Sequence, residues 1–301
     1  MKKGGHKKVT QVSKIAQFLK HYDNYFKYIK RLFILSIVCS IWLLILSIGL
    51  ALGYFASIVS KTDDINDDAL VQAVTNLPEL PEVQSSDVDL IALYNEQTPI
   101  LIAGPAEVSP YVTKAIVSSE DAQFYTHHGI LPKAIFRAMY QDIFNRDHPT
   151  GGSTITQQLV KNQLLSNQKT YDRKAKEIMY AMRLENIMTK DEIIYTYINR
   201  VSFGRNQHGQ HITGITAASY GIFGKPPKLL NLPEAAYLAG LVQSPYFYTP
   251  YTKEGHLKSH EAIQPSIHRQ RYVLKRMYIE NMITEQQYKQ ALDYPIQEKF
   301  I

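Results

Sequence analysis

The sequence predicts a mainly α-helical domain carried behind one N-terminal transmembrane helix. An uncharged apolar run from Leu32 to Ser60 predicts the span, and 3.6-residue periodicity with helix caps from about Ser109 onward predicts the helical domain. Between them lies an Asp- and Pro-rich stretch that reads as a connector. The implied organisation is a basic cytoplasmic tail at 1–31, a transmembrane helix at 32–58, an extracytoplasmic connector at 59–105 and a domain at 106–301.

The tail carries nine Lys or Arg and one acid, Asp23. The apolar run is longer than the about 20 residues that cross a bilayer core. A secretory signal would have a shorter apolar region and a small-residue cleavage site, so a retained anchor is expected. A buried core helix would need another apolar surface to cover all its faces. Basic residues before the span and Asp63, Asp64, Asp67 and Asp68 after it place the N-terminus in the cytoplasm and the rest outside. A basic cluster beside a span suits anionic lipid headgroups, and nucleic acid is not expected as a partner. The sole cysteine, Cys39, lies within the span. The exported part therefore has no cysteine nucleophile, disulfide or thiolate metal site.

In the connector, Asp89–Tyr94, a turn at Asn95-Glu96 and Pro99–Ile102 suggest a short hairpin. Ser109-Pro110 then reads as a helix start, with Ser109 as cap and Pro110 in the first turn. Val112, Ala115, Ile116 and Ser119 recur at helical spacing and carry the helix to Glu120. Glu120 and Asp121 thus fall at a helix C-terminus, where the macrodipole disfavours negative charge and tends to raise a carboxylate's pKa. A carboxylate in such a place is a candidate general base. Phe124, His127, His128 and Gly129 follow; as an ordinary helix end, His127 and Gly129 would be capping residues.

The next informative stretch is Gly151-Gly152-Ser153-Thr154-Ile155-Thr156-Gln157-Gln158-Leu159-Val160-Lys161. Ser153 is a natural N-cap, and Ser153, Gln157 and Lys161 at i, i+4, i+8 would share one face. A hydroxyl, an amide and a cation there suit sugar hydroxyls and phosphate oxygens. The plainer reading is a capped surface helix. Arg173 and Glu177 are i, i+4, so they form either a solvated ion pair or a second acid set among cations. In Lys190–Asn199 most residues read as packing, and Asn199 is the polar one hardest to explain by a core. Arg269-Gln-Arg271-Tyr-Val273-Leu274 reads as a structural amphipathic helix.

These five segments, in order and spacing, resemble the peptidoglycan glycosyltransferases of family 51. These are monofunctional glycosyltransferases and the N-terminal parts of class A penicillin-binding proteins. The resemblance runs from about Ala106 to Leu292 and includes Gly221-Ile-Phe-Gly224-Lys225-Pro and the Leu-Ala-Gly-Leu-Val-Gln-Ser-Pro run at 238–245. It implies a large lysozyme-like lobe with a smaller membrane-proximal jaw. It also implies polymerisation of lipid II into β-1,4-linked glycan with inversion. Glu120 matches the family's catalytic glutamate and proposed base. Glu177 matches its second essential glutamate, which either orients cations or helps hold a divalent ion, magnesium or manganese, on the diphosphate. Lys161, Lys169, Arg173 and Lys176 match positions that could stabilise the leaving diphosphate. Asp121, Phe124, His127, Ser153, Thr154, Gln157, Gln158 and Asn199 complete the substrate-binding set. The partners so implied are lipid II, the growing lipid-linked glycan, the membrane, and cell-wall synthesis or division proteins.

The segment Leu131–Thr150 mixes Ile135, Phe136, Met139, Tyr140, Ile143 and Phe144 with Lys133, Arg137 and Arg146. It suits either an interfacial jaw or a helix packed on the main lobe. The chain departs from the family pattern at Leu131, Tyr195 and Ser202. Ser166-Asn-Gln-Lys169 has transpeptidase-like spacing, but no Lys-Thr-Gly follows it. The sequence thus reads as a monofunctional enzyme or as the front of a bifunctional one. A glycan-cleaving enzyme would not need the cations around Glu177, and a scaffold would not need both glutamates.

Overall fold

The computed structural model describes residues 5–62, 65–75, 103–135, 137, 152–165 and 170–301. The suggested hairpin at 89–102, most of the expected jaw, and Lys169 lie outside them. The chain divides into two compact units, Met1–Lys61 and Thr62–Ile301.

The first unit is a single helix, α1 (Gly5–Thr62), so the basic tail and the apolar run are continuous. Within it, His21–Tyr54 contains an apolar stretch long enough to cross a membrane, and none of that stretch is covered by protein. Trp42 is 67% exposed and Leu43 and Leu50 are similarly bare. In lipid such a surface is solvated rather than costly, and the helix satisfies its own backbone groups.

Among its described residues, the second unit's regular structure is helical apart from one small hairpin. Its helices are α2 (Asp67–Thr75), α3 (Pro110–Glu120), α4 (Ile155–Leu164), α5 (Tyr171–Ile187), α6 (Lys190–Arg200), α7 (Ile215–Phe223), α8 (Leu232–Leu241), α9 (Pro245–Tyr248), α10 (His260–Ile279) and α11 (Glu285–Leu292). The antiparallel pair β1 (Ser202–Arg205) and β2 (His211–Thr213) follows α6, with an irregularity between Ser202 and Gly204.

One group of helices is organised by α8, whose ten residues are all buried. A helix apolar on every side belongs in a core. Its small residues let neighbours come close: a Cβ on Gly240 would stand 3.1 Å from Cγ of Arg269 on α10. Against α8 pack α10 and α3, and Val112, Ala115 and Ile116 of α3 are buried. The buried Glu234 caps the start of α8 and is neutralised by Lys225 at 2.7 Å.

A second group packs α4 against α5 and α6, with α2 against α4 and α5. Leu70 and Val74 of α2 are fully buried, so part of the expected connector belongs to the domain core. Capping boxes start α4, α6, α8 and α11. On α4 the cap is Thr154 rather than the expected Ser153, because Gln157 reaches back to the Thr154 N–H. That return contact turns Gln157 inward, so it does not share an exposed face with Lys161.

Asn199 joins two parts of the chain. It accepts from the Ala103 N–H at 2.9 Å and donates to the carbonyls of Ala103 and Tyr195. Removing one partner of a buried hydrogen bond costs about 1–3 kcal/mol for each group left unsatisfied. Asn199→Ala is expected to lower the stability of the domain by about 2–3 kcal/mol, read from denaturant unfolding. Wild-type stability in that variant would remove Asn199 from the framework.

Candidate active site

The C-terminal end of α3, one face of α4, the α6–β1 junction, residues 242–246 and one face of α10 enclose a cleft of about 1210 Å³. Glu120 is the last residue of α3 and stands at the cleft with its side chain 12% exposed. One carboxylate oxygen accepts from Gln158 Nε2 at 3.1 Å, the other from Arg269 Nη2 at 3.2 Å. The Gln158 amide is oriented in turn by the Tyr197 hydroxyl, which donates to its Oε1 at 2.8 Å. Burial, with Glu120 and Asp121 nearby, pushes the Tyr197 hydroxyl well above its ordinary range, so it remains a donor. Gln158 must therefore present its NH₂ group to Glu120.

Asp121, one residue on, has a different task. Its Oδ2 accepts from the Ile155 N–H at 3.0 Å and from His127 Nε2 at 2.8 Å. A carboxylate at the start of α4 is favourably placed toward the helix dipole. Beneath it, His127 also approaches Glu185 at 3.9 Å, and Glu185 is tied to Thr156 and Lys190. Lys190 stands 4.5 Å from the ring centroid of Phe124. Phe124 is 0% exposed and packs in the core. Gly129 closes this segment at φ +83°, and a Cβ there would meet the Ala181 carbonyl at 2.6 Å. Its own carbonyl accepts from the Thr154 hydroxyl.

Glu177 lies in a second cluster. It is 1% exposed and paired with Arg173 at 3.0 Å and Lys174 at 2.5 Å. Lys174 also donates to the Ser153 hydroxyl at 2.8 Å, linking α5 to the segment before α4. Lys161 is the third cation here. Burial pulls its ammonium below the usual lysine range, an effect that Glu177 opposes and Arg173 and Lys174 reinforce. The donor set does not fit a divalent ion held by Glu177, because both carboxylate oxygens are already taken by cations. Among the described residues no three His, Cys, Asp or Glu gather as a metal site.

Of the residues singled out from the sequence, Glu120, Asp121, Ser153, Gln158 and Lys161 line the cleft. Arg173 and Glu177 form the cation cluster. Phe124, His127, Thr154, Gln157 and Asn199 are buried framework. Lys176 is not brought to Glu177 and pairs instead with Asp172 at 3.2 Å. The structure adds Lys174, on Glu177, and Arg269, on Glu120. Lys174 was accessible from helical spacing, since i, i+3 faces Glu177 as well as i, i+4 does. Sequence pattern alone makes Arg269 part of a structural helix; in the fold it lies close against Gly240 and reaches Glu120.

A family model described as Transglycosylase matches residues 89–278. The chain is 34% identical over 265 residues to penicillin-binding protein 1A of Escherichia coli, covering 88% of this chain and 28% of that protein. It is 37% identical over 224 residues to penicillin-binding protein 1F of Bacillus subtilis, covering 73% and 29% respectively. It therefore spans under a third of the length of these relatives. With a helical domain, a cleft floored by Glu120 and a family match over most of that domain, the chain belongs to the transglycosylase family, the peptidoglycan glycosyltransferases of family 51.

Proposed function

We propose that this cleft polymerises lipid II, joining lipid-linked disaccharide-pentapeptide units with inversion, with Glu120 as general base. The observation that carries the reading is Glu120 itself, a carboxylate open to the cleft and aimed by Gln158 and Arg269. An acceptor sugar hydroxyl gives its proton to Glu120 as its oxygen bonds the donor's anomeric carbon. The bond from that carbon to the lipid diphosphate breaks on the opposite face. Inverting sugar chemistry places a base in this way, with a sugar hydroxyl replacing water.

The departing diphosphate needs positive charge more than it needs a proton. Lys161, Arg173 and Lys174 supply it, since preorganised cations stabilise charge that develops in the transition state. Glu177 holds Arg173 and Lys174 in place through its two oxygens, a positioning role. No step requires a protein-held metal. The lipid tail keeps the substrate in the bilayer, and α1 would keep the domain beside it. The basic residues before the apolar run favour a cytoplasmic N-terminus and an external catalytic domain.

Three outcomes are expected with the full chain in detergent and lipid II as substrate. Glu120→Gln should reduce polymer formation by about 10²–10⁴-fold or more, judged by gel separation of glycan strands; undiminished polymer in that variant would sink the assigned base. Lys174→Ala should lower kcat by about tenfold or more, since it removes a charge-assisted contact, while Lys176→Ala should stay within about twofold. The reverse ranking would contradict the geometry around Glu177. Lys161 works in its charged form and titrates below the ordinary lysine range, so the rate should fall as alkaline pH removes its proton. In Lys161→Arg that alkaline limb should move to higher pH, because guanidinium stays protonated. Coincident limbs in the two pH–rate profiles would exclude Lys161 as their source.

A further inference from the structure

We propose that the groove between α2 and α6 is a docking site for a partner protein, and that it takes a helical segment whose aliphatic residues are flanked by Lys or Arg. This surface lies apart from the cleft and does not depend on the chemistry assigned there.

Helix α2 packs on α4 and α5, and α6 packs on α4. Between α2 and α6 a groove of about 420 Å³ remains, with Ile187 and Met188 at the end of α5 in its lining. Val71 and Thr75, one turn apart, line it from α2, and Tyr195 and Thr196 line it from α6. Two helix stripes with an apolar lining between them leave room for a third helix, the helix-in-groove mode of recognition. Tyr195 is one of the positions at which the chain departs from the family pattern, so the aromatic wall of the groove does not come with that pattern.

The rim is acidic and unbalanced. Asp191 and Glu192 stand on it. Burial first, and then the charges of Asp191 and Glu107, push the Tyr195 hydroxyl above its ordinary range, so Glu107 acts on the same place. After burial, Asp191 also raises the hydroxyl of Tyr125, which is 55% exposed. Among the described residues none of these three acids has an ion pair. The nearby cations are taken, Lys190 by Glu185 and Arg183 by Asp67. Glu192 accepts only from the N–H and hydroxyl of Thr189, which hold its carboxyl below the usual range and so ionised. An aliphatic side chain beside a Lys or Arg matches such a groove, because carboxylates and tyrosine faces both favour a cation. The same charge disfavours other occupants. Anionic lipid headgroups would meet the acids of the rim. Residues 76–102, next in sequence after α2, carry Glu79, Glu82, Asp87, Asp89 and Glu96 and no Lys or Arg, so the connector has the same sign as the rim.

The test is binding of a labelled helical peptide to the full chain in phosphatidylcholine nanodiscs, read by fluorescence anisotropy against empty discs. The peptide has about 15 residues, with Leu along one face at helical spacing and Lys elsewhere; its counterpart carries Glu in place of Lys. The Lys peptide is expected to bind the chain about tenfold more tightly than the Glu peptide, or better. Asp191→Lys should remove that preference, and Thr196→Trp, which fills the groove, should weaken the Lys peptide about tenfold. Thermal unfolding and lipid II polymerisation should stay at wild-type levels in both variants, since neither position lines the cleft or belongs to the core. Equal binding of the two peptides, binding no greater than to empty discs, or binding indifferent to both substitutions overturns the docking site. Lys-peptide binding that appears only after residues 76–102 are replaced by a Gly/Ser linker of equal length would give the groove to the chain's own connector. Self-association that Asp191→Lys abolishes would give it to a second copy, and either result overturns the partner.

Discussion

The arrangement depends first on Asp121, the buried carboxylate that binds the end of α3 to the start of α4. Its Oδ2 makes both contacts away from water, where a charge-assisted hydrogen bond is worth more than in solvent. They bring Glu120, carried by α3, to Gln158, carried by α4. Asp121 and Glu120 are adjacent in sequence and opposite in use. The first is spent on the Ile155 N–H and His127, and the second remains open to the cleft. Gly129 and Thr154 reinforce the same junction through a hydrogen bond between the two segments.

Around that junction the charges separate into two sets. Glu120 faces a single guanidinium, and its amide neighbour is oriented by a buried tyrosine hydroxyl. Glu177, by contrast, is sealed under Arg173 and Lys174, with Lys161 close enough to feel it. One acid among three cations leaves the cluster positive, which suits an anionic leaving group and does not suit a metal. The same group of helices thus leaves one carboxylate open to the cleft and uses another to hold cations.

The packing that supports these sets comes from unequal side-chain sizes. Small residues on α8 admit α10 at Gly240, and the close approach carries Arg269 to Glu120. On the opposite side, α2 supplies Leu70 and Val74 to the core next to α4 and α5. The segment preceding the cleft is therefore part of the framework, joined again by Asn199 at Ala103.

Local pattern by itself determined the long apolar helix, the helix from Pro110 to Glu120 and the pairing of Arg173 with Glu177. Each depends on spacing along one element or on composition, and both are written in the chain order. Tertiary structure decided which polar residues reach the cleft. Gln157 and Gln158 are neighbours with nearly equal chemistry, but the capping box draws the first inward and leaves the second on Glu120. Lys174 and Lys176 are separated by one residue, and only the first reaches across to Ser153 as well as Glu177. Arg269 lies 149 residues from Glu120, a contact no local periodicity encodes. A helix repeat records which side chains share a face; the packing of that face against other helices determines what they meet.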